Sequence, residues 1–142
     1  MRMFLGMAVA ISVLSLGTNA AVVPLSLQAG DISVAASYKG KGPVDDKHKI
    51  LVFLFDHPTP TAGSEPLGLQ TISKNGDVVT FKGVTVNPVY VTMVYDEKSN
   101  YDGQSPPPVG APIGSYAKGG KAVPVKPGEK VKATFDDSVR WK

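Results

Sequence analysis

The segment Asp96-Glu-Lys-Ser-Asn-Tyr-Asp-Gly103 gathers Asp96, Glu97, Asn100 and Asp102 into one loop that closes on a glycine. Oxygen-rich loops of this kind suit Ca²⁺, a hard cation that takes about six to eight oxygen ligands. An EF-hand register fails. With Asn100, Asp102 and Gly103 at the third, fifth and sixth loop positions, Lys98 falls at the first and Val109 at the twelfth. Asp136 and Asp137 join the set if the last strand ends nearby. The competing reading is a plain turn, because Asn, Asp and Gly hydrogen-bond their own backbone and tolerate left-handed conformations.

Asp45, Asp46 and His48 form a second group, and Asp56 with His57 a third. Imidazole and carboxylate together suit Zn²⁺ or Cu²⁺. The two groups bracket an apolar stretch of about seven residues, and a strand of that length at ~3.3 Å per residue holds its ends roughly 20 Å apart. Each group therefore needs partners from elsewhere, and the same distance works against a His–Asp catalytic pair. No Gly-x-Ser-x-Gly frames a nucleophilic serine. The chain has no cysteine, which excludes thiol catalysis, thiolate metal sites and dithiol redox chemistry. Tyr101, Tyr116 and Trp141, the only tryptophan, lie in or near irregular segments, where aromatic rings stack on sugars or close the edge of a fold. Pro106-Pro107-Pro108 reads as a stiff polyproline II step within a long loop.

What positions these residues is a series of short β-segments. Gly and Pro punctuate the chain, and no window keeps a helical apolar period. Asp31 to Lys39 alternates apolar and polar residues, as a strand with one buried face does. Ile50-Leu-Val-Phe-Leu-Phe55 is apolar throughout, which implies a central strand buried on both faces. Leu67 to Ser73, Val78 to Val84, Val89 to Tyr95, Lys121 to Val125 and Lys130 to Phe135 complete roughly seven strands. Asn75-Gly76 reads as a type I′ hairpin turn between the third and fourth strands. Asp96 to Gly120 is expected to be the longest irregular region. The fold class is all-β, a seven-stranded antiparallel β-sandwich, prealbumin-like or Ig-like.

The stretch from Leu69 through Asn75-Gly76 and Phe81 to Pro88-Val89-Tyr90 resembles the transthyretin-like, carboxypeptidase-regulatory-like and Cna-B-like sandwiches. In those families an Asn-Gly or Asp-Gly turn leads to an aromatic, a short loop, and a tyrosine on the next strand. The resemblance covers about Lys49 to Tyr95. It implies a seven-stranded sandwich, usually non-catalytic, that supports folding, assembly, adhesion or ligand binding. The hydrolase in that group ends on a Tyr-Arg-Gly-Ser motif, which the terminal Phe135-Asp-Asp-Ser-Val-Arg-Trp-Lys142 lacks.

Residues 1–20 read as a cleaved, helical signal peptide. Arg2 provides the charge, Met3 to Leu16 the apolar run, and Thr18-Asn19-Ala20 the small residues before a cut. Fourteen apolar-region residues fall short of the roughly 20 that span a bilayer. Residues 21–142 then form a single domain, periplasmic or secreted, with no membrane span. Fifteen Lys and Arg against twelve Asp and Glu give a net charge of +3, with the lysines scattered. Nucleic-acid binders cluster their charge, so no nucleic-acid partner is expected. The expected role is a non-enzymatic binding or accessory module of the bacterial envelope, acting on a protein or glycan through the 96–116 loop. The alternatives are a small exported hydrolase or metal-dependent enzyme built on the Asp and His loops, and a structural subunit of an envelope assembly.

Overall fold

The computed structural model describes residues 29–142, so the leader expected at 1–20 lies outside the described residues. Among these residues there is no helix, and hence none long and apolar enough to cross a membrane. Nine strands run in the order β1 Gly30–Tyr38, β2 Ile50–Phe55, β3 Gly68–Ile72, β4 Val78–Val84, β5 Tyr90–Tyr95, β6 Ile113–Ser115, β7 Ala117–Lys118, β8 Lys121–Ala122 and β9 Lys130–Phe135. They form a three-stranded sheet β4-β1-β9, a four-stranded sheet β3-β2-β5-β6 and a two-stranded ribbon β7-β8.

The apolar periodicity decides how the sheets meet. Ile32, Val34, Ala36 and Tyr38 of β1 point to one side, as do Val131, Ala133 and Phe135 of β9. They share a single core with Ile50, Val52 and Leu54 of β2 and Val91, Met93 and Tyr95 of β5. Two sheets with a common core are consistent with a β-sandwich. Strand β2 is buried along its whole length, and it lies between β3 and β5 as its continuous apolar run requires.

Four expectations need correction. The pairing is not wholly antiparallel: β1 runs parallel to β9, with Val34 opposite Val131 and Tyr38 opposite Phe135. The 96–120 stretch is not irregular throughout, since it supplies β6 and β7. Gly119 and Gly120, both at positive φ, close the β7-β8 ribbon, and paired positive φ is the type I′ signature. The expected strand Lys121 to Val125 shrinks to the two residues of β8. Pro124 follows it, and Val125 makes an isolated bridge to Val89.

The fourth correction concerns Asn75-Gly76. Strand β3 pairs with β2 and β4 with β1, so the turn carries the chain from one sheet to the other. Only Gly76 has positive φ, and the N–H of Asp77 donates to Lys74 O at 3.1 Å. Positive φ at the second central residue alone fits a type II turn. The Asn75 side chain bonds as a strand residue would: it accepts from Tyr38 N–H and donates to Tyr38 O, both at 2.8 Å. The N–H of Gly76 donates to Ala36 O at 2.9 Å. The turn chemistry was legible, but which strands it joined depended on pairings distant in sequence.

Candidate functional site

The outward face of β2 cannot be left to water, because Leu51, Phe53 and Phe55 all point there. With Val94 and Ala111 they form a second apolar cluster, which Leu69, Tyr101 and Ile113 flank. The 96–112 segment returns across this face to cover it. Asp96, only 8% exposed, anchors the return: its carboxylate accepts the N–H of Asn100 at 3.0 Å and of Tyr101 at 3.3 Å. The ring of Tyr101 lies 6.3 Å from that of Phe53, and its hydroxyl donates to Ser105 O at 2.8 Å. Gly103 sits beneath at φ +79°, where a Cβ would stand 2.5 Å from Leu69 Cδ2. Glycine suits this position because its φ is positive and a Cβ would press on the methyl ends of Leu69 and Leu51.

The C-terminal segment braces the same loop from the other side. Gly110 N–H donates to Trp141 O at 2.8 Å, Trp141 N–H to Ala111 O at 2.9 Å, and Ile113 N–H to Val139 O at 3.0 Å. The Arg140 guanidinium donates to Glu97 at 3.0 Å and to Gly110 O at 2.7 Å, with Asp137 at 3.7 Å. Between these braces and the 58–66 loop lies a cleft of about 730 Å³. Phe53, Phe55 and Val94 are among its lining residues, with Tyr101 and Trp141 beside them. That volume falls within the range of small-molecule sites, roughly 300–1,000 Å³.

Of the three aromatic candidates, Tyr101 and Trp141 meet at this cleft. Tyr116 stands apart, packed against the main core with its N–H donated to Val91 O at 3.0 Å. Burial, with Asp102 adding to it, pushes the Tyr101 phenol up to about 12, so the ring meets a ligand as a neutral hydroxyl. Three of the four calcium candidates are engaged within their own loop or with the C-terminal segment. Asp96 caps the turn, Glu97 pairs with Arg140, Asp102 accepts Gln104 N–H at 2.9 Å, and Asn100 is exposed. Asp136 accepts from Ser138. Among the described residues no group of three or more His, Asp or Glu side chains is placed to hold a metal ion.

The two His-bearing groups stay at opposite ends of β2 and close on themselves. Asp45 accepts the N–H of His48 at 2.7 Å and meets its ring at 2.9 Å. At the other end, His57 Nδ1 lies 2.5 Å from Asp56 Oδ1 and His57 Nε2 lies 2.9 Å from Ser64 Oγ. Ser64 also lines the cleft. Its participation was not readable from the sequence, because six residues of loop lie between it and His57 and no motif marks the spacing. Comparison with known proteins returns no matching family model, no matching curated protein and no matching solved structure.

Proposed function

We propose that this chain is an exported binding or accessory module of the bacterial envelope, periplasmic or secreted, which holds a glycan or a protein segment in the cleft on the outer face of β3-β2-β5-β6. The observation that carries the reading is that Tyr101 and Trp141 both line the cleft that Phe53 and Phe55 floor. Aromatic rings with one polar edge, set in a concave apolar surface, stack on sugar rings or on apolar side chains. The 96–116 segment enters as the wall that carries Tyr101 and Pro107. The leader pattern at 1–20 supports the location.

The reading includes a transthyretin-like, prealbumin-like sandwich rather than an Ig-like one. A three-stranded sheet and a four-stranded sheet around one core support it, although they include β6 in place of the expected strand at Lys121 to Val125. In an immunoglobulin sandwich the first two strands share a sheet; here β1 and β2 lie in different sheets, which favours the prealbumin-like alternative.

Trp141 is the only tryptophan, so its fluorescence reports on the cleft directly. Titration of residues 21–142 with a glycan panel and with envelope-protein extracts, with Ca²⁺ or with EDTA, is expected to change that emission. It is also expected to raise the melting temperature, as any ligand selective for the native state must. Tyr101→Ala is expected to weaken the response by about tenfold, in line with about 1–1.5 kcal/mol for a lost aromatic contact. Emission and melting temperature that stay constant across the panel would sink the proposal.

A further inference from the structure

We infer that Ser64 is a nucleophilic serine, activated by His57 and Asp56, and that it is acylated by esters entering the cleft. This goes beyond the binding role and adds a covalent step at the cleft's rim. The geometry is a continuous relay. Asp56 Oδ1 lies 2.5 Å from His57 Nδ1, and His57 Nε2 lies 2.9 Å from Ser64 Oγ. A carboxylate has no proton to give, so Nδ1 carries the hydrogen, and in the neutral ring Nε2 then presents its lone pair. The only proton it can accept from its neighbour is that of the Ser64 hydroxyl. An activated nucleophile needs this order of groups: a base within hydrogen-bond reach, and a third group that orients the base.

The surroundings hold the relay in place. The N–H of Thr61 donates to Ser64 Oγ at 2.9 Å and Thr61 Oγ1 lies 3.3 Å from the same oxygen, while the Ser64 N–H donates to Thr61 O at 3.0 Å and holds the backbone. The Phe55 ring packs 5.8 Å from the imidazole. Pro58, Pro60 and Pro66 restrict the loop that joins the three groups. Gly63 leaves the approach beside Ser64 open, since nothing lies within 4 Å of where its side chain would be. Phe53 and Phe55 line the cleft that Ser64 faces, so the acyl group accepted is apolar.

The step balances without a further reagent. Ser64 Oγ attacks the ester carbonyl carbon as its proton passes to His57 Nε2, and the carbonyl electron pair moves onto oxygen. Collapse of that tetrahedral species breaks the bond to the leaving oxygen, which takes the proton from Nε2, and leaves an acyl-Ser64 ester. Water attacks the acyl carbon by the same route, giving a carboxylic acid and restoring the hydroxyl.

The test uses p-nitrophenyl acetate and a fluorophosphonate on residues 21–142, with the site of modification mapped by peptide mass. The expected result is an adduct on Ser64, with p-nitrophenolate release falling about a hundredfold or more in His57→Gln. The mapped adduct on the unaltered protein keeps the proposal testable if Ser64→Ala loosens the loop by losing the Thr61 contact. A protein that stays unmodified at Ser64, an adduct found only on lysines, or labelling of Ser64 that persists undiminished in His57→Gln overturns it, and the relay then serves only to staple the loop. Trp141 fluorescence titration on Ser64→Ala separates the two proposals. Ligand binding that survives in a variant without acylation supports the cleft as a binding site, whatever becomes of the covalent step.

Discussion

Tyr38 and Tyr95 stack in the core with ring centroids 3.9 Å apart, yet their hydroxyls meet different fates. The hydroxyl of Tyr95 donates to Pro43 O at 2.6 Å. That of Tyr38 is buried and has no hydrogen-bond partner among the described residues, and burial pushes its phenol up to about 12. An unsatisfied buried hydroxyl costs free energy that a hydrogen removes, whereas a satisfied one leaves an orphaned carbonyl when deleted. Tyr38→Phe is therefore expected to be neutral or to stabilise by up to about 1 kcal/mol, and Tyr95→Phe to cost about 1–2 kcal/mol. Urea midpoints of the two variants decide it; equal losses would show that Tyr38 has a partner after all. At this scale the sequence was informative about type and silent about pairing. The acidic character of the 96–103 loop was plain. That Asp96 would fold under and cap the backbone depended on the sheet face below, which no local pattern records.

Asn75 shows the same division among the elements. As an Asn-Gly pair it is a strong turn signal, and a turn is what it makes. Its side chain ties the link between the two sheets to the end of β1 through two hydrogen bonds. Asn75→Gly would be harmless in a type I′ hairpin. Here it is expected to cost about 1–2 kcal/mol, the worth of the two bonds, and Asn75→Asp is expected to lose at least as much, because it sets a second acceptor oxygen against Tyr38 O. A shift of the denaturation midpoint at unchanged slope is the readout; full stability in Asn75→Gly would rule out the bridging role. Strand boundaries were legible wherever periodicity was strong, as in β1, β2 and β9. Strands β6 and β7 escaped notice because Ile113–Ser115 and Ala117–Lys118 are too short to carry a period, and the neighbours they pair with define them. The two-sided burial of β2 was the one local signal that something had to cover the outer sheet. It pointed towards the cleft without naming its walls.

For the molecule as a whole, three exposed carboxylates in separate places share one property. Asp31 is held below the ordinary value of 3.8 by the Gly83 N–H and by Lys82. Asp45 is held down mainly by the His48 N–H, and Asp136 by the Ser138 hydroxyl and N–H. A carboxyl with a depressed folded value stabilises the fold above its unfolded value and loses that contribution as pH falls through the folded one. Melting temperature is therefore expected to decline as pH drops below about 3.8. The triple variant Asp31→Asn, Asp45→Asn, Asp136→Asn is expected to decline less over the same range. Parallel curves for the two proteins would show that these carboxylates do not set acid stability. In the absence of cysteine no disulfide offsets such a loss.

The parallel seam between β1 and β9 has a consequence in time. Val34 and Val131 are neighbours in space but about a hundred residues apart along the chain, and contacts of that separation close slowly. A ribosome makes β9 long after β1, so the three-stranded sheet lacks one edge until β9 emerges. A growing chain cannot lock into this fold ahead of its last strand. That delay leaves β1 with an unpaired edge beside β4, a surface on which growing chains can pair with one another.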